Sequence, residues 1–163
     1  MHMFYFLFFL FFSCSKKNPI TWDTCSNVVQ DHPCDFTLVD QHGKEWNLYE
    51  NYGKAIIIDF SAEWCYWCKV AASDINNVEQ AYDVTYVTVM LEDSAGNKAD
   101  DKLVRRWAAL FQINSPVLIG PQELTWNVEA FPTFYIINKE MIVTGIMEGY
   151  NPHMLEAYVK ETQ

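Results

Sequence analysis

The chain has 163 residues, half of them hydrophobic and 16% aromatic, with 21 acidic against 11 basic side chains and a formal net charge of −10. That length suits one ordinary domain with a substantial core, and the lack of any Gly-, Pro- or Gln-rich tract excludes a low-complexity or disordered chain. The acidic balance, with no cluster of Lys and Arg, excludes nucleic acid as the main partner, because a phosphate backbone is held chiefly by clustered cations.

Met3 to Phe12 is an unbroken apolar run. It is about half the ~20 residues a membrane-spanning helix needs, and has the length of the apolar part of a secretory signal. The run ends at Ser13-Cys14, which resembles the processing site of a bacterial lipoprotein. That resemblance implies cleavage before Cys14, a lipid on Cys14, and an exported domain anchored to a bacterial membrane on its periplasmic or cell-surface side. Phe11 and Phe12 depart from the usual residues there, and no Lys or Arg precedes the run, so an uncleaved short anchor stays open. The expected division is a signal over 1–13, a polar tether over 14–30 and a folded domain over 31–163.

Within the domain, Phe36, Leu38, Trp46 and Leu48 alternate with polar residues around Asp40 to Gly43, the pattern of a β-hairpin with a Gly-containing turn. Ala55 to Phe60 is a short continuous apolar run, as expected of a central strand covered on both faces. The period then changes: Ala71, Ile75, Val78 and Tyr82 recur at helical spacing, which predicts an amphipathic helix after Cys68. A strand over Val84 to Leu91 follows, then a polar loop and a second helix carrying Leu103, Val104, Trp107, Ala108 and Phe111. "SPVLIG" reads as a short strand, "PQELTWNV" as a helical turn or short helix, and "FPTFYIIN" and "MIVTGIME" as a hairpin pair. Asn151 and Pro152 stand at favoured N-cap and first-turn positions of a closing helix. The alternation predicts an α/β three-layer sandwich with a mixed central sheet.

Of the five cysteines, setting Cys14 aside for lipid leaves four, the even number expected of an exported protein with paired thiols. Cys25 and Cys34 flank a turn at Pro33, where a stapling disulfide and two free thiols are both open. A closed zinc site would want a second C-x-x-C or a spaced His pair, and the four histidines are scattered singly, so no metal is expected.

Cys65 and Cys68 fall where the buried strand gives way to a helix. The free N–H groups and positive end of that helix favour a thiolate at Cys65, making it the attacking thiol. Cys68, about one turn further on, is suited to resolve a mixed disulfide. Asp59 interrupts the apolar strand "AIIIDF" six residues before Cys65. A buried carboxylate there has its pKa raised toward the range useful for taking and returning the proton of Cys68, whereas a solvated strand-end residue would do nothing.

"IDFSAEWCYWCK" is similar, outside its central dipeptide, to the thioredoxin active-site signature "VDFWAEWCGPCK", and "VEAFPTFYIINKE" resembles the thioredoxin segment in which a cis-proline faces the disulfide. The opening "CDFTLVDQHGKEWNLYENYGKAIIIDF" and the insert from about Asn97 to Gly120 resemble the TlpA/ResA-type membrane-anchored thiol–disulfide oxidoreductases. The resemblance spans about residues 31 to 163. It implies a thioredoxin-like fold with an N-terminal β-hairpin and a helix–strand insert ahead of the cis-Pro segment. It further implies Pro132 as the cis-proline, Phe131 as the residue whose backbone pairs with an extended substrate, and a substrate rim of Trp64, Tyr66, Trp67, Phe131 and Pro132.

Two departures stand out. Tyr66-Trp67 replace the usual Gly-Pro or Pro-Pro, and the strand Lys that neighbours the buried Asp of ordinary thioredoxins has no evident counterpart in "VTYVTVMLED".

The expected function is dithiol–disulfide exchange that reduces disulfides of exported proteins, with cytochrome c maturation one role the resemblance implies. The partners would be exported protein thiols or disulfides and a membrane or periplasmic electron donor, with no cofactor and a monomeric chain. A non-catalytic peptide-binding module and a thiol peroxidase are the alternatives.

Overall fold

A computed structural model describes residues 21–121 and 125–162. The signal expected over 1–13, Cys14 and the first part of the tether lie outside these residues.

A two-stranded antiparallel hairpin, β1 (Thr37–Val39) and β2 (Glu45–Asn47), opens the domain and is followed by a 3-10 turn over Tyr49–Asn51. The central sheet contains β3 (Ala55–Ala62), β4 (Val84–Glu92), β5 (Val117–Ile119), β6 (Thr133–Ile137) and β7 (Val143–Glu148), in the order β5-β4-β3-β6-β7. Strands β3, β4 and β5 run parallel, while β6 and β7 pair antiparallel beside β3. The sheet is mixed, as its alternating and then hairpin-paired segments predict.

Every residue of β3 is buried. Its period-2 pleat sends Ile57, Asp59 and Ser61 to one face and Ile56, Ile58 and Phe60 to the other. The first face packs against α1 (Tyr66–Ala72), α2 (Ile75–Ala81), α3 (Asp101–Phe111) and α4 (Pro152–Lys160), through Cys68, Ile75, Trp107 and Leu155 among others. The second face is covered by the hairpin, the 3-10 turn, Trp22 and Trp126. The third layer of the sandwich is thus an aromatic lid rather than a helical one. Trp126 meets Tyr135 at 4.7 Å, Phe60 at 5.5 Å and Phe36 at 5.8 Å between ring centroids.

Three local features differ from the sequence-based expectation. The helix after Cys68 is two helices: Ser73 caps the first, the Asp74 N–H bonds only three residues back to the Ala71 carbonyl (2.9 Å), a tightened last turn, and α2 restarts at Asp74. Thr125 to Val128, in the stretch expected as a helical turn or short helix, is irregular, with Trp126 buried in the lid.

Residues 21–30, placed in the expected tether, lie against the domain. The Trp22 ring stacks on His32 at 4.1 Å, and Gln30 N–H and Asp31 C=O bond to the Val143 backbone on the edge of β7. That contact covers a strand edge which would otherwise expose unpaired backbone. Cys25 and Cys34 form a disulfide in this segment, with Cα atoms 4.9 Å apart.

Candidate functional site

Strand β3 delivers the site. At Ser61/Ala62 its register against β4 shifts by a bulge, and the chain turns over Glu63 and Trp64 into α1. Cys65 is the N-cap of that helix, in extended conformation, and the Cys68 N–H donates to Cys65 Sγ at 3.1 Å. A backbone donor aimed at sulfur favours its charged form. Cys65 and Cys68 are joined as a disulfide with Cα atoms 5.3 Å apart. Cys65 is 4% exposed and Cys68 fully buried, so an incoming sulfur meets Cys65 first.

The turn before the cysteines is clamped from two sides. Arg106 on α3 forks onto Glu63, with Nε at 2.9 Å and Nη2 at 2.7 Å from Oε1. Glu63 Oε2 also accepts from the Ser94 N–H at 2.9 Å. Bidentate pairing fixes orientation as well as distance. The insert helix therefore does more than cover the sheet; it holds the loop that presents Trp64 and Cys65.

Asp59 is fully buried on the face of the sheet that carries Cys68. Ser61 donates to Asp59 Oδ1 at 2.7 Å, and Tyr86 on β4 donates to Oδ2 at 3.2 Å. Burial pushes the carboxyl up to about 7, against the pull of the Ser61 and Tyr86 hydrogen bonds. The same burial, with Asp59 beside it, holds the Tyr86 phenol well above its ordinary value. Both partners of Asp59 are hydroxyls. Ser61 was within reach of sequence reasoning, being two residues along the same strand face, whereas Tyr86 depends on the β3–β4 register, which pairs Asp59 with Thr88.

The Phe131–Pro132 peptide is cis. Thr133 pairs with Phe60, so Pro132 enters β6 beside the end of β3 that leads to Cys65. Phe131 packs against the cluster containing both cysteines and meets Trp64 edge-on at 5.6 Å. Trp64, Tyr66 and Trp67 are 51%, 69% and 54% exposed, the last two in edge contact at 5.2 Å. Large aromatics left in water around a reactive centre form an apolar rim of the kind that marks a binding surface. Cys25 and Cys34 belong instead to the N-terminal segment on the lid side. Among the described residues there is no cluster of His, Cys, Asp or Glu able to hold a metal ion.

No protein-family model matches the chain. It is 31% identical over 121 residues to the thiol-disulfide oxidoreductase ResA of Geobacillus thermodenitrificans, covering 69% of this chain and 67% of that protein. Among solved structures it is similar to a Chlorobium tepidum protein assigned as the thiol:disulfide interchange protein DsbE. There the TM-score is 0.72 and the identity 23%, over 84% of this chain and 99% of the other. It is also similar to the pneumococcal exposed lipoprotein thioredoxin Etrx1 of Streptococcus pneumoniae, with TM-score 0.63 and 26% identity over 78% and 99% of the two chains. The fold in which β3 and α1 hold Cys65 and Cys68 is therefore shared with proteins of dithiol chemistry, and by identity and coverage this chain belongs to the thioredoxin-like, TlpA/ResA-type thiol–disulfide oxidoreductases.

Proposed function

We propose that this thiol–disulfide oxidoreductase works as a reductant of disulfides in exported proteins, with Cys65 as the attacking thiol, Cys68 as the resolving thiol and Asp59 as the proton acceptor. The observation that carries the reading is the buried Asp59 on the Cys68 face of the sheet, beneath a disulfide of which Cys65 alone keeps any exposure.

The Cys65 thiolate attacks one sulfur of the substrate disulfide, and the other leaves as a thiolate that water or a nearby acid protonates. Asp59 takes the Cys68 proton, and the Cys68 sulfur attacks Cys65. The Cys65–Cys68 bond forms as the second substrate sulfur departs with its electron pair. The substrate gains two electrons and the dithiol loses them. Phe131 and the cis Pro132 would align an extended substrate strand, and Trp64, Tyr66 and Trp67 would supply its apolar contacts.

The anchor reading carries over from the sequence. Lipidation at Cys14, a polar tether and a periplasmic or cell-surface domain are supported by the apolar run ending at Ser13-Cys14 and by likeness to an exposed lipoprotein thioredoxin. Among the described residues no helix is long and apolar enough to cross a membrane. The chain would work as a monomer that draws electrons from a membrane or periplasmic donor. Cytochrome c maturation, whose apoproteins need reduced thiols, is one use of such an activity.

The test mixes the reduced full chain with a disulfide-bonded peptide. Cys68→Ser should accumulate a stable mixed disulfide on Cys65, seen by mass spectrometry under non-reducing conditions, and Cys65→Ser should release no peptide thiol. Peptide reduction that survives Cys65→Ser would overturn the assignment.

A further inference from the structure

Tyr86 takes no part in sulfur chemistry, yet its whole side chain is buried and its hydroxyl points at the carboxylate the chemistry needs. Asp59 is gripped by one donor on each oxygen, Ser61 on its own strand and Tyr86 on the neighbouring one, which fixes the carboxylate relative to α1 and Cys68. Two donors from two elements restrain a group far more than one would.

The groups facing Asp59 can be taken element by element. From β3 comes Ser61, and from β4 come Tyr86 and Thr88, whose buried Oγ1 makes no hydrogen bond among the described residues. On the same face of the sheet α1 brings Cys68, in one core cluster with Tyr86 and Phe134. From β6 comes Phe134, directly opposite Asp59, with the Tyr150 ring against it at 6.0 Å. The Tyr150 hydroxyl donates to Asp74 Oδ2 at 2.8 Å, where a cavity of about 240 Å³ opens between α2 and α4. Burial, with Asp59 and Asp74 nearby, holds the Tyr86 and Tyr150 phenols above their ordinary values, so both stay neutral donors. The charged form of Asp59 is therefore held by two hydroxyl donors against burial.

We infer that Tyr86 is the positioning residue of the proton-transfer step, its hydroxyl holding the Asp59 carboxylate in place and in its charged form so that it can accept the proton of Cys68. The inference rests on the proposed roles of Cys65, Cys68 and Asp59. In that step the Cys68 S–H bond breaks and its proton passes to Asp59, while the Cys68 sulfur forms the bond to Cys65 and the substrate sulfur leaves with its electron pair. Tyr86 remains a phenol throughout.

The test uses the full chain labelled with carboxyl-¹³C aspartate, and follows both the titration of Asp59 by NMR and the pH profile of single-turnover reduction of a disulfide peptide. Tyr86→Phe keeps the ring and removes the donor. It should move the Asp59 titration upward by about one pH unit and lower the rate on the acid limb ~10-fold, since a hydrogen bond to a charged group is worth about that much. Ser61→Ala should displace it in the same direction. Tyr86 exchanged for 3-fluorotyrosine, a stronger donor of nearly the same shape, should displace it downward, and this arm decides the matter if Tyr86→Phe does not fold. An active wild-type chain whose Asp59 titrates unchanged in the Tyr86 variants would overturn the inference. A wild-type chain inert toward the peptide at every pH would overturn the redox roles themselves.

Discussion

The indole Nε1 of Trp64 donates a 2.7 Å hydrogen bond to Glu92 Oε2, at the end of β4, while its ring meets the edge of Phe131 at 5.6 Å. An aromatic that is half in solvent is thereby fixed at two points, so little side-chain freedom remains to be lost when a substrate covers it. Trp64→Ala should raise KM for a disulfide peptide by about tenfold, the equivalent of ~1.4 kcal/mol, with kcat little changed. Glu92→Ala, which frees the indole without removing it, should have a smaller effect in the same direction. Steady-state kinetics with one peptide across the two variants checks both.

The raised Asp59 carboxyl predicts a pH-dependent stability. Its pKa is about 7 in the fold against an ordinary 3.8. The folded chain therefore binds the proton more tightly than the unfolded one does. The stability associated with the neutral acid is fully present below about pH 4, falls as pH rises and is lost above about 7, in total about 4 kcal/mol. Asp59→Asn keeps a polar group of the same shape without the charge. Urea unfolding of the oxidised chain should show wild type losing stability between pH 5 and 8 and the variant losing markedly less, with the variant the more stable of the two at pH 8. Equal slopes would show that Asp59 does not titrate in this range.

The Cys25–Cys34 disulfide closes a loop of nine-residue separation that ties residues 21–34 to the lid side of the sheet. Loop-closure entropy assigns such a bridge about 2–3 kcal/mol. The double variant Cys25→Ala/Cys34→Ala should lose about that much in denaturant melts. It should still reduce a disulfide peptide at the wild-type rate, because the bridge touches neither Cys65 nor its rim.

Gly120, directly after β5, donates to the Met90 carbonyl at 2.8 Å. A Cβ added there would stand 2.5 Å from that same backbone oxygen and 2.5 Å from the Leu91 side chain. Backbone cannot yield as a side-chain tip can, so Gly120→Ala should pry β5 from β4 and lower stability by about 1–3 kcal/mol, read as a reduced midpoint in thermal or urea melts.

The cysteine pair, the strand before it and the buried acid could all be read from Ile56 to Lys69. A short continuous β-branched run reads as a strand covered on both faces, and a carboxylate within it as a buried acid rather than a solvated strand-end residue. The break at Ser73–Asp74 was not readable, because apolar spacing continues through it and the backbone tightens by one bond, from Asp74 N–H to the Ala71 carbonyl. Nor was the burial of Trp126 readable, since the segment around it has no apolar period and owes its conformation to Tyr135, Phe60 and Phe36, remote in sequence. Glu63 and Arg106 were in plain view as charges, but 43 residues separate them. Only the packing of α3 on the sheet makes them partners.

Taken by itself, the sequence determined what depends on neighbours along the chain: the α/β alternation, a cysteine pair at a strand-to-helix junction, and a carboxylate placed where water is excluded. The tertiary structure decided what depends on register and on contacts across the fold. It chose two hydroxyls, Ser61 and Tyr86, to hold Asp59, it turned the outer layer into an aromatic lid, and it brought Phe131 and Glu92 to Trp64. The physical reason is the same in each case: hydrogen bonds and ring contacts act over a few ångströms of space, and distance along the chain does not predict which groups will come that close.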